Sequence, residues 1–299
     1  MEETKMLGTL TELFSDQIRR VLKTSKVTTV VNEDNVYQEG DPDVLAILDE
    51  MVEPLLLPGS GLDGLENLEE LFEKAQSGKA CLLLVEHYSN MDLSFVSLLT
   101  RKAGGRGKEI ADSIIAMAGM KLNEDNPVVA AFTGAYSKIV IYPSRYLQDA
   151  DPEKDKAEIM RSNAINRAAM KSLIRHKYKG KLILVFPSGT RFRPWEPDSK
   201  KGVREIDSYI RSFDYICFIA LNGDVLHVQK TDMMNDAVSK DIVIATVSPV
   251  TNSNEFRDKA LAAASDDEDK KQAVADAIMN ELEKMHIAAE EKRKKLLTV

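Results

Sequence analysis

The sequence predicts an α/β protein: a largely parallel, mixed sheet flanked by helices and preceded by a small helical amino-terminal domain. Short apolar runs at residues 80–85, 114–117, 138–142, 181–186, 215–221 and 241–247 have the texture of strands buried on both faces. Helical spacing fills several of the gaps, most clearly over residues 91–101 and 158–176, and strands alternating with helices imply mainly parallel pairing. The first eighty residues differ. Leu45, Ile47, Leu48, Met51 and Val52 recur at helical spacing, as do Leu65, Leu68, Leu71 and Phe72, with the turn Pro58-Gly59-Ser60-Gly61 between the two sets. The expected division is therefore a helical domain over 1–78 and an α/β domain over 79–299. Residues 255–297, rich in Ala, Glu, Lys and Met, close the second domain as one or two helices.

A chain of 299 residues, 43% hydrophobic, is long enough to bury a substantial core, and no internal repeat points to a solenoid. No apolar run approaches the roughly 18 residues of a spanning helix. The first twenty residues carry Glu2, Glu3, Glu12 and Asp16 and lack the pattern of a secretory leader, so a cytoplasmic location is expected. Cys81 and Cys217 both sit inside apolar runs, which predicts buried thiols rather than a disulfide or a metal site.

The net charge of −8 argues against general nucleic-acid binding, and the charge is unevenly spread. Thirteen acidic residues and no Lys or Arg lie between Glu33 and Glu73, whereas the middle of the chain is mildly basic. Its cations cluster around Arg101, Lys102, Arg106 and Lys108, around Arg175, Lys177, Lys179 and Lys181, and around Arg191, Arg193, Lys200 and Lys201.

Chemistry in an α/β sheet belongs at the carboxyl ends of its strands. Phosphate-binding P-loops and GxSxG elbows are missing from the sequence, which removes common nucleotide and hydrolase routes. The first buried strand runs directly into Glu86-His87-Tyr88-Ser89-Asn90-Met91-Asp92. An aspartate in the first turn of the next helix can reach a histidine at the strand end and fix its tautomer, leaving the other ring nitrogen as a base. With 4 His and 24 Asp in the chain, about 0.3 such spacings arise by chance. His227 and Asp232 share the spacing without a strand-to-helix break and read as loop residues.

A second motif strengthens the first. Phe186-Pro187-Ser188-Gly189-Thr190-Arg191-Phe192-Arg193-Pro194 also follows a buried strand and enters a forced turn, and Arg191 and Arg193, two residues apart, can grip a dianionic phosphate. A third strand ends in Tyr142-Pro143-Ser144-Arg145-Tyr146, offering Arg145.

On these blocks the sequence resembles the glycerolipid acyltransferases, whose first block is His-x4-Asp and whose third is Phe-Pro-x-Gly-Thr-Arg. It is similar in particular to the soluble, chloroplast-type glycerol-3-phosphate 1-acyltransferases, whose third block reads Pro-Ser-Gly-Gly-Arg-Asp-Arg-Pro. Ser188 fits that branch. The likeness covers about residues 65–285. It departs in the second block, where that branch has Lys-His and this chain has Arg145-Tyr146.

The resemblance implies His87 as base, Asp92 as its partner, and Arg145, Arg191 and Arg193 as phosphate ligands. The turn of Ser188, Gly189 and Thr190 is a candidate for substrate or oxyanion contacts. The implied reaction moves an acyl group from an acyl carrier protein or coenzyme A thioester to the 1-hydroxyl of glycerol-3-phosphate, with no metal or cofactor. The alternatives are a 1-acyl-glycerol-3-phosphate acceptor, or a non-catalytic protein binding lipid phosphates or a carrier protein. Basic clusters around 101–108 and 175–181 are expected to steer an acidic carrier protein. The expected contact with a membrane surface is transient and peripheral.

Overall fold

Five parallel strands form the centre of a computed structural model that describes residues 5–120, 122, 126–147, 150–231, 233–265, 267 and 269–298. In chain order the strands are β1 (Gly8–Thr9), β2 (Tyr37–Gln38), β3 (Gly61–Asp63), β4 (Cys81–Val85), β5 (Ile114–Gly119) and β6 (Lys138–Ile141). Then come β7 (Leu182–Val185), β8 (Tyr215–Asn222), β9 (Leu226–His227), β10 (Ala237–Val238), β11 (Ile244–Val247) and β12 (Thr251–Asn252). The main sheet has the order β2-β6-β5-β7-β4-β8-β11-β3, with β12 also pairing β8. The run from β6 to β8 is parallel, while β2, β11 and β12 pair antiparallel at its flanks. A small second sheet joins β1, β10 and β9.

The expected mixed sheet is thus present, and each apolar run singled out in the sequence overlaps one of its strands. The absence of polar alternation in β4 has a direct cause. Leu82 and Leu84 enter one core layer and Cys81, Leu83 and Val85 the other, so both faces are dry. Helices Leu10–Thr24, Pro42–Val52, Leu65–Gln76 and Asp92–Lys102 cover the second of these layers. Helices Lys156–Lys177 and Lys270–Leu297 cover the first, through Ile165, Ala169 and Leu173 and through Val274, Ile278 and Leu282. Both cysteines are free and buried, and burial pushes the Cys81 thiol up to about 12, as suits a core group rather than a nucleophile.

Residues 1–78, expected as a helical unit of their own, carry three short strands besides their helices. Two of these strands join the main sheet, β2 against β6 and β3 against β11. Leu10, Ile18, Val44 and Leu68 share one apolar cluster with Leu83 and Cys217. The two- and three-residue strands were invisible in the sequence because they are too short for a period to register. Gly64 shows how the seam is closed: its φ is +85°, and a Cβ there would lie 2.7 Å from the Val247 carbonyl oxygen.

Full burial of a Leu contributes about 1.5–3 kcal/mol, and truncation adds the cost of the void. Leu83→Ala should lower unfolding free energy by about 2–5 kcal/mol in urea titration. Leu13→Ala, at a position 37% exposed, should change it by no more than about 0.5 kcal/mol.

Candidate active site

The parallel strands place their carboxyl ends along one edge of the sheet, and the two sequence blocks follow adjacent strands there, β4 and β7. At the end of β4 the chain turns sharply and begins the helix Asp92–Lys102. Asp92 is 4% exposed. Its Oδ2 accepts from the backbone N–H groups of Tyr88 at 2.6 Å and Ser89 at 2.8 Å and lies 2.9 Å from His87 Nδ1. The Ser89 hydroxyl donates to Oδ1 at 2.6 Å. A carboxylate at a helix amino terminus with four such contacts is held in one orientation. With the carboxylate ionised, His87 carries its proton on Nδ1, which leaves Nε2 as an acceptor.

The imidazole is also fixed from its face and from its backbone. Its ring stacks on Phe186 with centroids 4.1 Å apart and planes inclined by 19°. The His87 carbonyl accepts from the Phe192 N–H at 2.8 Å, binding the two motifs together.

His87, Arg145, Arg191 and Arg193 line one cavity of about 880 Å³. Arg145 stands in the turn Ser144–Leu147 after β6, donates to the Gly189 carbonyl at 3.0 Å and lies over the Tyr146 ring. Arg193 donates to Glu196 and to Thr190 Oγ1. Arg191 pairs at 3.1 Å with Asp236, whose side chain is fully buried. Apolar side chains, including Met117, Leu122, Ile141, Met170 and Met233, make up much of the remaining wall.

The turn after β7 divides its expected roles. Gly189, at φ +63°, and Thr190 line the cavity, whereas Ser188 is buried, stands outside the cavity wall and donates its hydroxyl to the Thr190 carbonyl. The Gly189 N–H is already engaged with the Phe186 carbonyl, so in this conformation it is no oxyanion donor. His227 is away from the cavity and bonds Asp224 and Ser239; Asp232 lies outside the described residues.

Four residues without an assigned role in the sequence complete the site: Ser89, Asp236, Glu86 and His286. Glu86, 3% exposed, accepts from the Leu221 N–H, the Tyr88 hydroxyl and His286 Nδ1. His286 belongs to the final helix, 200 residues away in sequence. Burial disfavours its charge, but the Glu86 hydrogen bond and charge outweigh this and raise its pKa above the ordinary 6.5.

The basic cluster at 101–108, expected to be a bare cationic surface, is instead largely neutralised. Arg101 forms a bidentate pair with Asp49, Lys102 pairs with Glu53, Arg106 with Glu109 and Lys108 with Asp112. The first two partners come from the acidic stretch at 33–73, so sequence-distant charges answer each other on folding. In the second cluster Lys177 is buried against the Ser212 carbonyl.

A family model described as Acyltransferase matches residues 62–249, more than half of the chain. Over 126 residues the chain is 27% identical to the glycerol-3-phosphate acyltransferase, chloroplastic, of Spinacia oleracea, a stretch covering 42% of this chain and 25% of that protein. The chain thus matches about a quarter of the length of that relative. The crystal structure of the 1-acyl-sn-glycerophosphate (LPA) acyltransferase, PlsC, from Thermotoga maritima aligns with a TM-score of 0.42 at 12% identity. That alignment covers 91% of this chain and 88% of the other.

Because the His286 pKa is raised on folding, its contribution to stability is complete below about 6.5 and is lost as pH rises through the raised folded-state value. His286→Gln keeps a hydrogen bond to Glu86 and removes the titration. The thermal midpoint of the wild type should therefore fall more steeply than that of His286→Gln between about pH 6 and pH 8. Equal slopes would show that the pair carries no linkage. His227, also raised, chiefly by its Asp224 hydrogen bond, adds a slope of the same sign to both proteins.

Proposed function

This chain belongs to the acyltransferase family, and on that premise we propose that it acylates the 1-hydroxyl of glycerol-3-phosphate from an acyl carrier protein or coenzyme A thioester. The observation that carries the reading is the shared cavity. It sets a histidine with a fixed tautomer and three guanidinium groups around one volume large enough for a phosphorylated acceptor and part of an acyl chain.

The chemistry derives from that placement. His87 Nε2 takes the proton of the acceptor hydroxyl as its oxygen attacks the thioester carbonyl carbon, and Asp92 stabilises the imidazolium that forms. The tetrahedral intermediate collapses with cleavage of the carbon–sulfur bond. The departing thiolate recovers the proton from His87, so the products are an ester and a free thiol with no acyl-enzyme between them. Arg145, Arg193 and Arg191 hold the acceptor phosphate and keep the hydroxyl at the base, an entropic gain of several kcal/mol.

A second reading, with 1-acyl-glycerol-3-phosphate as acceptor, is favoured by the apolar wall formed by Met117, Leu122, Ile141 and Met170 beside the arginines. The deciding experiment offers purified protein each acceptor with an acyl thioester and identifies the product. Turnover of the 1-acylated acceptor and refusal of glycerol-3-phosphate would replace the first reading with the second. Neither acceptor being used with any thioester would sink both.

Within the working assay, His87→Ala should lower the rate by about 10²- to 10⁴-fold. Arg193→Ala and Arg145→Ala should raise the acceptor KM by a factor on the order of 10 to 10³ and move the donor KM far less. Arg191→Ala should do the same and also destabilise the fold, because it strands the buried Asp236. If all three arginine variants alter only the donor KM, the cations serve the acyl donor and the acceptor pocket has been misplaced.

A further inference from the structure

The helix Lys156–Lys177 carries an exposed face that the core does not use. Ile165, Ala169 and Leu173 turn inward and are buried. On the opposite side, at helical spacing, Met170, Ile174 and Tyr178 are 41%, 56% and 52% exposed. Alternating with them stand Arg167, Lys171, Arg175 and, just beyond the helix end, Lys179, all exposed.

No Asp or Glu occurs from residue 159 to residue 180, although the chain as a whole is acidic. Among the described residues no carboxylate pairs with Lys171, Arg175 or Lys179, in contrast to the neutralised cations at 101–108. The stretch from Arg167 to Lys179 runs about 18 Å, with a large apolar side chain between successive cations.

We propose that this face docks the protein on an anionic lipid bilayer. Cations in this number attract a negatively charged headgroup layer. Charge alone fits an acidic protein equally well. The exposed Ile174, Met170 and Tyr178 decide for lipid, since apolar groups beside cations insert at the boundary between headgroups and acyl chains while the ammonium and guanidinium heads stay at the phosphates. Asn166 and Met170 of the same helix also line the 880 Å³ cavity. Docking therefore brings the cavity wall to the bilayer; this consequence for delivering an acylated product rests on the proposed reaction, whereas docking itself does not.

The experiment is flotation of the purified full chain, without substrates, with vesicles of mixed phosphatidylglycerol and phosphatidylcholine and with vesicles of phosphatidylcholine alone. Binding to the mixed vesicles is expected, weakening steeply with salt. Replacing Lys171 and Arg175 together by Glu should weaken it by well over tenfold, at about fivefold for each cation removed before the repulsion of the new charges. In a Trp195→Phe background, Ile174→Trp should shift its emission to the blue on the mixed vesicles only.

The proposal is overturned if the double charge reversal leaves vesicle binding unchanged, or if the Ile174→Trp emission does not move while the protein floats. It is also overturned if the charge reversal abolishes binding of an acyl carrier protein and spares the vesicles, which would give the face to that acidic partner. Because these measurements contain no acyl donor or acceptor, they hold or fail independently of the reaction. A water-soluble thioester assay on the same variants reports separately on the catalytic site.

Discussion

A carboxylate buried at the first turn of a helix must find donors or cost several kcal/mol, and Asp92 finds four. Those contacts dictate the path of residues 87–92. The Tyr88 and Ser89 amides have to point at the carboxylate, which bends the chain sharply after β4 and sets the His87 ring where only Nδ1 reaches Asp92. From there the constraint spreads outward. The ring takes its stacking partner from the segment after β7, and the His87 carbonyl ties that segment down through Phe192. Two loops that follow neighbouring strands thereby become one rigid unit.

The cations of the cavity are fixed by a different rule. A guanidinium group near a dry wall is tolerated when part of its charge is answered, and here the answers are unequal. Arg191 faces a fully buried aspartate, Arg193 a half-exposed glutamate, and Arg145 a carbonyl and an aromatic ring. Among the described residues Arg145 has no carboxylate partner, and Arg191 is the most firmly oriented. Orientation and charge are divided between residues rather than combined in one.

Much of this was legible from the sequence because its signals are local. The apolar runs of β4, β7 and β8 identify themselves by lacking alternation, since both faces are buried. His87, Asp92, Arg191 and Arg193 announce themselves by spacing within a few residues of a strand end. What was hidden depends on distance along the chain. Nothing near Arg101 marks Asp49 as its partner, so a neutralised surface read as a basic one. Asp236 and His286 are single residues in ordinary stretches, and their roles exist only after folding brings them to Arg191 and Glu86. Strands such as β2, with two residues, carry no period at all.

The tie between Glu86 and His286 also sets an order of assembly. Glu86 sits beside His87 and is buried, yet one of its partners, His286, lies 200 residues further along the chain. A nascent chain extending only through β8 already holds the histidine, its aspartate and all three arginines. It nonetheless leaves the Glu86 carboxylate without that partner and the sheet layer of Leu82 and Leu84 without Val274, Ile278 and Leu282. Contacts this far apart in sequence form late. The surroundings of His87 are therefore complete only once the helix Lys270–Leu297 has been made and docked.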